Sequence, residues 1–533
     1  MRTRTESTYQ LAAVSEGLGE NTQERTNQLN VFQLSVNMFG RGCMNILLVS
    51  PKSPDTFWSY KHALKFISKR AAFPPLGLLT VAGMLPTSWN LKLVDLNVSH
   101  LRDWQIRWAD YVMISGMIVH KDSVRKIVKR CKSFNRTLIG GGPLFTTGHE
   151  EFGSELHYVL GEAENVMPDL VADMRTGHLR PFYQSATRPD ISRTPIPRWD
   201  LINTRHYAAL SLQFSRGCPY NCEFCDIIIM NGRKPRTKST PQMLAELDAI
   251  QSTGWKGSVF VVDDNFIGNK TRAKDLLRAI IDWRQRTDSR IQFLTEASVN
   301  LADDAQLLNL MSRAGFKRVF LGIETPVNSS LVECKKVQNS RRDLGQSVQI
   351  IQRAGLEVMG GFIVGFDNDP RDIFQRQFDF IQQTGIVTAM VGLLTALPQT
   401  QLYDRLMKEG RLRATSSGNN TQALLNFIPV LDRNFLLSGY RQLMQTLYEP
   451  DSYYQRILTF LSEYRPQGPT AKLSLLELKA FIKSLWLMGV WHKGRRAYWR
   501  FFTTILIRYP HHISLAMTLA IHGHHFRLVA AQL

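Results

Sequence analysis

Three of the six cysteines in this 533-residue chain fall within eight residues of one another. Cys218, Cys222 and Cys225 form a C-x3-C-x2-C array inside the stretch SRGCPYNCEFC. Thiolates at this spacing can hold three irons of a [4Fe–4S] cluster from a single loop. Electron-transfer clusters have four thiolate ligands, but the other three cysteines are scattered along the chain. The array therefore predicts a cluster with one iron left open for another ligand.

Two alternatives for these cysteines fit the sequence less well. Zinc sites commonly have four ligands in two separated pairs, and no second Cys or His pair lies close by. A disulfide would leave one thiol over, and the chain has the few cysteines typical of a reducing compartment. We therefore expect a cytoplasmic iron–sulfur protein.

Length and composition limit the possible classes of protein. A chain of 533 residues is too long for one compact core, so two or three domains are expected. The net charge of +20 suits nucleic acid, an anionic membrane surface or an acidic ligand, but no nucleic-acid-binding module is recognisable. Residues 1–43 are polar and predict a disordered extension without a signal peptide. No apolar run approaches the length of a membrane span.

Residues 44–178 predict a doubly wound parallel sheet, because short apolar runs alternate with helical patterns. The predicted strands cover residues 45–50, 91–96, 110–116, 136–139 and 157–160, and the predicted helices cover 73–85, 123–132 and 163–174. Ligands of such sheets bind beyond the carboxyl ends of the strands, where small residues let a flat molecule approach the backbone. A proline-rich linker follows at residues 179–206.

Residues 207–412 predict six strand–helix units, which is typical of an open (β/α)6 partial barrel with its site at the carboxyl ends of its strands. Polar residues follow three of these strands and are expected to converge in space: Asp263, Asp264, Glu296, Ser298 and Glu324. Each carboxylate alone could instead cap a helix. The basic stretch at residues 231–238 is either a solvated loop or an attractor for anionic groups.

Residues 413–533 predict a helical region. Between residues 481 and 533 there are seven Lys or Arg and no Asp or Glu, interleaved with tryptophans. This pattern favours either a helix at an anionic membrane surface or a helical cap with a solvated basic face. Six of the thirteen histidines fall here without the spacing of metal ligands.

The cysteine stretch, with Phe224 before its third cysteine, resembles the signature of radical S-adenosylmethionine (SAM) enzymes. In that family the open iron chelates the amino and carboxylate groups of SAM. The resemblance implies that Asp263 or Asp264 holds the methionine part of SAM. It places Glu296, with Ser298 beside it, near the ribose, and the stretch from Gly322 to Glu324 on the adenine side.

The first domain resembles the cobalamin-binding domain of class B radical SAM enzymes through the stretches PPLGLLTVAGML, GGPLF and LGEAE. The cobalamin-contacting residues implied are Pro75, Gly77, Asn97, Gly116, Gly141, Gly142, Pro143, Gly161 and Glu162. The alternatives are a Rossmann-like domain for another nucleotide or a ligand-free spacer. No Asp-x-His-x-x-Gly motif is present, and His120 and His149 fit loop positions better than cobalt ligation, so the resemblance implies that no protein histidine binds the lower face of cobalamin.

Residues 44–460 are most similar to the branch that holds hopanoid and bacteriochlorophyll methylases, through GRKPRTK, VDDNFIGNK, GIETP and GGFIVGFD. The resemblance implies methylation of an unactivated carbon in a lipophilic hopanoid-, tetrapyrrole- or isoprenoid-like product. A 5′-deoxyadenosyl radical and methylcobalamin would carry out the reaction, with an external flavodoxin- or ferredoxin-type reductant. A rearrangement or ring closure without methylation is one alternative, and a non-catalytic cobalamin- or redox-responsive protein is another. The enzyme is expected in the cytoplasm or peripherally on the inner face of the membrane.

Overall fold

The computed structural model describes residues 43–419, 421–466 and 475–533, including the side chains except at residues 475–477. The predicted extension at residues 1–43 therefore lies outside the described residues, apart from its last position. The described chain contains two parallel sheets and a group of carboxyl-terminal helices, as the sequence predicts.

The first sheet has six parallel strands in the order β2-β1-β3-β4-β5-β6. Its strands are β1 (Asn45–Ser50), β2 (Asn90–Asp95), β3 (Tyr111–Ser115), β4 (Thr137–Gly141), β5 (His157–Leu160) and β6 (Phe182–Gln184). Helices of the same part of the chain are α1 (Lys61–Leu64), α2 (Leu76–Met84), α3 (Asp103–Trp108), α4 (Lys121–Lys132), α5 (Pro143–Gly148) and α6 (Met167–Thr176). The interior residues of β1 are fully buried because helices cover both faces of the sheet. The doubly wound fold is confirmed.

One predicted boundary in this domain is wrong. Strand β6 pairs with β5 in parallel, so the sheet continues into the stretch predicted as a linker at residues 179–206. Only Tyr183 of its three residues is buried, and Pro181 precedes it, so the segment lacks the apolar run that identifies an inner strand.

The second sheet has six parallel strands in the order β14-β13-β12-β11-β10-β7, and its edge strands β7 and β14 do not pair with each other. Its strands, with a small antiparallel ribbon of β8 and β9, are β7 (Ala209–Leu212), β8 (Ser215–Arg216), β9 (Arg236–Thr237), β10 (Ser258–Val261), β11 (Gln292–Ala297), β12 (Phe316–Glu324), β13 (Glu357–Val364) and β14 (Thr388–Leu393). Its helices are α7 (Ile227–Met230), α8 (Thr240–Ser252), α9 (Lys270–Thr287), α10 (Ala305–Ala314), α11 (Asn328–Glu333), α12 (Leu344–Arg353), α13 (Ile373–Thr384) and α14 (Gln401–Lys408). The predicted open (β/α)6 partial barrel is confirmed.

The carboxyl-terminal helices pack against the barrel. They are α15 (Arg433–Tyr448), α16 (Pro450–Glu463), α17 (Leu475–Trp486), α18 (Arg495–Arg508) and α19 (Ile513–Ala530). The buried hydroxyl of Tyr448 donates to the carbonyl of Ala389 near the start of β14, at 2.5 Å. None of the helices in the described residues is long and apolar enough to cross a bilayer.

The two domains share a core because the loop after β1 reaches into the barrel. Trp58 from this loop stacks on Phe260 of β10, with ring centroids 6.0 Å apart, and packs 5.3 Å from the ring of Phe320 of β12. A second link runs from the Tyr207 hydroxyl to Oδ2 of Asp95, at 3.0 Å. The first domain therefore supplies part of the barrel interior.

Candidate active site at the carboxyl edge of the barrel

The three clustered cysteines lie on one loop that leaves the β8–β9 ribbon. Gly217 begins the loop with φ of +97°, and a Cβ there would lie 2.8 Å from the carbonyl oxygen of Gly232, so only glycine fits. The side-chain amide of Asn265 lies 3.9 Å from Sγ of Cys218, and that of Gln338 lies 3.8 Å from Sγ of Cys222. Both amides therefore direct N–H donors at cysteine sulfurs of this loop.

In the described residues no three His, Cys, Asp or Glu side chains converge closely enough to hold a single metal ion. Three thiolates that grip separate irons of a cluster do not need to surround one atom. The loop therefore fits an iron–sulfur cluster, which is the group that its cysteine spacing predicts.

Two adjacent aspartates fasten the start of this loop. Asp263 accepts from the backbone N–H of Phe214 and from the Ser215 hydroxyl, both at 2.7 Å. Oδ2 of Asp264 accepts from the N–H of Gly217 at 3.1 Å. Both oxygens of Asp263 are thus used within the protein, which makes it the less suitable partner for the methionine part of SAM. Oδ1 of Asp264 has no hydrogen bond to the described residues, so Asp264 is the aspartate that keeps an oxygen for a ligand.

A third anchor holds the middle of the loop. The buried carboxylate of Glu223, between two of the cysteines, pairs with Nε of Arg405 at 2.7 Å. The same guanidinium binds Asp367 at 2.9 Å. The cysteine loop is therefore attached to helix α14 as well as to its own ribbon.

Lys336 is a buried cation beside the cysteine loop. Its ammonium pairs with Oε1 of Glu324 at 2.5 Å and lies 5.9 Å from the centre of the Phe224 ring. Burial alone would lower the pKa of Lys336, but Glu324 and the Cys222 thiolate raise it, so the side chain stays charged. Burial raises the pKa of the Cys218 thiol, and Lys336 opposes that rise. The cation therefore favours the thiolate forms that bind iron.

The Glu324–Lys336 pair explains the glycine at position 322. Glu324 has φ of +65°, and a Cβ on Gly322 would lie 2.4 Å from its Oε1 and 2.6 Å from Nζ of Lys336. The predicted adenine-side stretch therefore holds a buried ion pair, and its glycine leaves the space for it.

Glu296 is a carboxylate of this edge that has no partner among the described residues. Its side chain makes no hydrogen bond or ion pair within the described residues, although it is only partly exposed. Next to it, the Ser298 hydroxyl bonds to Oδ1 of Asn300 at 2.5 Å, and the Ser298 N–H donates to Oδ1 of Asn265 at 3.2 Å. A free carboxylate beside the cysteine loop suits the hydroxyls or ammonium of SAM, so this edge fits that molecule too.

Replacing Glu296 with glutamine is expected to flatten the pH dependence of stability of the cofactor-free protein. Burial, together with the carboxylates of Asp264 and Asp263, raises the pKa of Glu296 to about 8. A group with a raised folded-state pKa contributes stability that is present below its unfolded pKa, about 4.3, and is lost as pH rises towards 8. Chemical denaturation between about pH 5 and about pH 8 measures this slope. The exposed-carboxylate control Asp122→Asn should keep the wild-type slope, and an unchanged slope in Glu296→Gln would contradict the argument.

The small residues predicted for cobalamin lie at the carboxyl edge of the first sheet. They are Pro75, Gly77, Gly116, Gly141, Gly142, Pro143 and Gly161. A methyl group added at Gly77 or Gly161 would meet none of the described atoms within 4 Å, so the backbone there faces open space. Gly142 has φ of +85°, and a Cβ on it would lie 2.5 Å from Oγ of Ser115. The edge is therefore tightly turned and open, as a flat ligand requires.

Two polar residues predicted for cobalamin make their hydrogen bonds inside the protein. The amide nitrogen of Asn97 donates to the carbonyl of Pro51 at 3.1 Å and to Asp95 at 2.7 Å. Glu162 pairs with Arg216 at 2.8 Å and with Arg236 at 2.7 Å. Glu162 therefore fastens the first domain to the cysteine loop, because Arg216 is two residues before the first cysteine.

The same contacts account for the basic stretch at residues 231–238. Arg236 belongs to the Glu162 network, and Lys238 forms a buried ion pair with Glu246. This part of the stretch is internal, so neither predicted role describes it.

His120 and His149 both place ring nitrogens within hydrogen-bonding distance of protein atoms. In His120, Nδ1 accepts from the N–H of Met117 at 3.1 Å, and Nε2 lies 3.0 Å from Oγ of Ser53. Burial lowers the pKa of His120 to about 4, so the ring is neutral. Nδ1 of His149 lies 3.2 Å from the carbonyl of Phe145.

Several residues of this site have no sequence signal that singles them out. Lys336 and Gln338 follow α11 in a polar stretch, and Asn265 follows the two aspartates. Cys334 is distant in the sequence from the three clustered cysteines, but it packs behind their loop. Its carbonyl accepts from the N–H of Glu223 at 2.9 Å. Its own thiol donates to the carbonyl of Leu331 at 3.6 Å.

Comparison with known proteins identifies the chain. Residues 212–381 match the radical SAM superfamily, and residues 400–533 match a domain of unknown function, DUF4070. An uncharacterized methyltransferase of Synechocystis sp. is 42% identical over 490 residues, which are 91% of this chain and 91% of the relative. The hopanoid C-2 methylase of Rhodopseudomonas palustris is 32% identical over 482 residues, 88% of this chain and 90% of that protein. This chain belongs to the radical SAM methyltransferases.

The predicted branch of the family is confirmed as well. A bacteriochlorophyllide d C-12(1)-methyltransferase of Chlorobaculum tepidum is 24% identical and covers 68% of this chain and 78% of its own length. The solved structure of OxsB, a cobalamin-dependent SAM radical enzyme with aqua-cobalamin and SAM bound, aligns over 92% of this methyltransferase and 79% of OxsB, with a TM-score of 0.57 at 16% identity. That similarity shows a shared fold. A radical SAM methyltransferase uses a [4Fe–4S] cluster and SAM, which agrees with the cysteine loop described above.

Proposed function

We propose that this methyltransferase transfers a methyl group to an unactivated carbon of a lipophilic hopanoid-, tetrapyrrole- or isoprenoid-like molecule. The observation that carries the proposal is the arrangement at one edge of the barrel. The cysteine loop and Glu296 meet there. Arg216 joins this edge, through Glu162, to the carboxyl edge of the first sheet, where Gly77 and Gly161 face open space. When bound, the cluster, SAM and cobalamin supply an organic radical and the methyl group that it accepts.

Protein groups position the cofactors in this proposal. Cys218, Cys222 and Cys225 bind the cluster, and Asp264 and Glu296 bind the polar groups of SAM. The carboxyl edge of the first sheet receives cobalamin. The resemblance implies no histidine ligand to cobalt, and the engagement of both ring nitrogens of His120 supports this for one of the two candidate histidines. An external flavodoxin or ferredoxin supplies electrons.

Product mass tests the reaction. Reconstituted protein, SAM and a reductant are incubated with total lipid extract from cells that lack the gene. A lipid that gains one methylene unit, together with release of 5′-deoxyadenosine, supports methyl transfer. Release of 5′-deoxyadenosine with a product of unchanged elemental composition or with loss of hydrogen would instead support rearrangement or ring closure.

We further propose that helix α17 places the enzyme on the cytoplasmic face of an anionic membrane. Leu478, Ile482 and Trp486 repeat every four residues and are 44%, 59% and 62% exposed, so they form one apolar stripe on this helix. Lys479 and Lys483 flank the stripe. The absence of acidic residues from position 481 to position 533 suits negatively charged lipid headgroups.

Replacing both Ile482 and Trp486 with aspartate is expected to remove the protein from floated vesicles that contain phosphatidylglycerol. The double variant takes two large apolar side chains out of the interface and adds two negative charges that the lipid surface repels. Flotation of wild-type protein should weaken as salt rises. The control Val430→Asp, at a residue 64% exposed elsewhere on the surface, should float like wild type. Equal flotation of all three proteins would refute the role of α17.

A further inference from the structure

The turn that follows α11, at residues 334–339, lies against the cysteine loop. Three of its residues, Cys334, Lys336 and Gln338, contact that loop. The third of these contacts reaches a sulfur, because Nε2 of Gln338 lies 3.8 Å from Sγ of Cys222. A side chain from outside the loop therefore donates directly to an atom that is expected to bind iron.

This turn is fastened to the end of β12 on both sides of Gln338. Asn339, which is 1% exposed, donates through Nδ2 to the carbonyl of Gly322 at 2.9 Å and to that of Ile323 at 3.0 Å. Two residues before Gln338, Lys336 is held by its buried ion pair. Because both neighbours are anchored, the barrel fixes where the Gln338 side chain begins.

The head group of Gln338 makes one hydrogen bond within the described residues, and that bond goes to the sulfur. Its Oε1 is buried and has no partner there. A thiolate accepts hydrogen bonds and cannot donate them, so the nitrogen end of the amide must face Cys222. A buried oxygen without a donor lowers stability. The fold therefore gains little from this glutamine, and the contact with sulfur is what distinguishes it from an apolar residue of the same length.

Asn265 makes a corresponding contact at a second cysteine, but its donor is shared. Its Nδ2 lies 3.9 Å from Sγ of Cys218 and also 3.2 Å from Oγ of Ser298. Its Oδ1 accepts from the N–H of Ser298. A substitution of Asn265 would therefore disturb several bonds at once, whereas a substitution of Gln338 removes one.

A hydrogen bond to a cluster sulfur acts on the reduction potential. The added electron increases the negative charge on the ligand sulfurs, so an N–H donor stabilises the reduced form more than the oxidised form. Cys222 is 7% exposed, and a hydrogen bond is electrostatically stronger in such a buried place than in water. The Gln338 amide is therefore placed to favour the reduced form.

We infer that Gln338 raises the reduction potential of the iron–sulfur cluster by donating to the sulfur of Cys222. The step concerned is the uptake of one electron: the external reductant loses the electron, the cluster gains it, and no covalent bond is made or broken. Gln338 is a positioning residue in this role because it acts through Cys222. With it, a reductant of given potential reduces a larger fraction of the enzyme. The inference rests on the cluster and not on the identity of the substrate.

Gln338→Met tests this role, because methionine has a similar length and no N–H group. The variant is reconstituted anaerobically and titrated with dithionite, without SAM or substrate, while electron paramagnetic resonance measures the reduced cluster. At the midpoint potential of the wild type we expect the ratio of reduced to oxidised cluster to fall about tenfold, which for one electron is a midpoint about 59 mV more negative. Chemical denaturation of the cofactor-free variant should show no loss of stability, because the buried Oε1 without a partner is removed as well.

Gln401→Met is the matched control. Gln401 also donates its side-chain amide to the cysteine loop, but to Oδ1 of Asn221 at 2.8 Å and not to a sulfur. This variant should keep the potential of the wild type. In resonance Raman spectra, the stretching bands between iron and cysteine sulfur should rise in frequency in Gln338→Met alone, because the lost hydrogen bond had weakened an iron–sulfur bond. Gln338→Leu is a second variant in case the first takes up too little iron.

An unchanged potential in both Gln338 variants, or an equal shift in Gln401→Met, would overturn the inference. Failure of the proposed function would appear differently, since the potential is measured without substrate. In that case Gln338→Met would shift the potential, but wild-type protein would add no methylene unit to any lipid. Methylation together with an unmoved potential would refute the inference alone, and wild-type protein that binds no iron would refute both.

Discussion

Replacing Cys222 with alanine is expected to yield a folded protein that holds no complete iron–sulfur cluster and releases no 5′-deoxyadenosine. Cys222 is buried in the middle of the loop, and no further cysteine thiol points at its position, because the thiol of nearby Cys334 donates to Leu331. The two remaining thiolates, of Cys218 and Cys225, cannot coordinate three irons. Iron and sulfide content after anaerobic reconstitution, the visible absorbance of the cluster, and chromatography of the nucleoside products measure the effect.

Cys131→Ala provides the matched control for this prediction. Cys131 is fully buried in helix α4 of the first domain and therefore also loses a buried thiol, but far from the cysteine loop. This variant should keep its iron and its SAM cleavage. Full activity in the Cys222 variant, or equal loss in both variants, would contradict the role given to the loop.

Replacing Lys336 with methionine is expected to destabilise the protein by about 3–5 kcal/mol, because the change leaves the Glu324 carboxylate buried and without its partner. The variant also removes the cation that favours the thiolate form of Cys218, so we expect a lower iron content at a given pH. Chemical denaturation of the cofactor-free protein measures the first effect, and iron analysis across pH measures the second.

The chain offers two controls for Lys336. Lys335 is adjacent but exposed, and its ammonium bonds to Gln401 at 2.7 Å, so Lys335→Met should change stability by less than about 1 kcal/mol. The double variant Lys336→Met with Glu324→Gln removes both charges and should recover much of the stability. A double variant no more stable than Lys336→Met would mean that the unpaired carboxylate is not the cause.

The sequence predicts the inner strands well because they are buried on both faces. Strand β1 occupies the predicted residues 45–50. Ile46 to Val49 form a short continuous apolar run, which is typical of a strand covered by helices on both faces. The edge strand β6 has one buried residue and therefore gives no such run. The insertion of Trp58 into the barrel is a long-range contact, and no local pattern at residues 51–75 distinguishes it from an ordinary loop.

The sequence also locates the carboxylates of the site but not their partners. A strand followed by Asp263 and Asp264 places both at the correct edge. Which carboxylate oxygen is left for a ligand depends on the backbone N–H groups of Phe214 and Gly217, which are nearly fifty residues away along the chain. Lys336 is no different from its exposed neighbour Lys335 until α11 is packed, and only burial separates the two.

The placement of Trp58 limits how this enzyme could arise by recombination of genes. A barrel made from residue 207 onward would lack the indole of Trp58, which packs against Phe260 and Phe320 in its interior. The first domain made alone would expose that indole to water. Because each half would lose these contacts, a swap that exchanges one cofactor domain for that of a distant relative would need to carry the loop at residues 51–75 together with the barrel that encloses it.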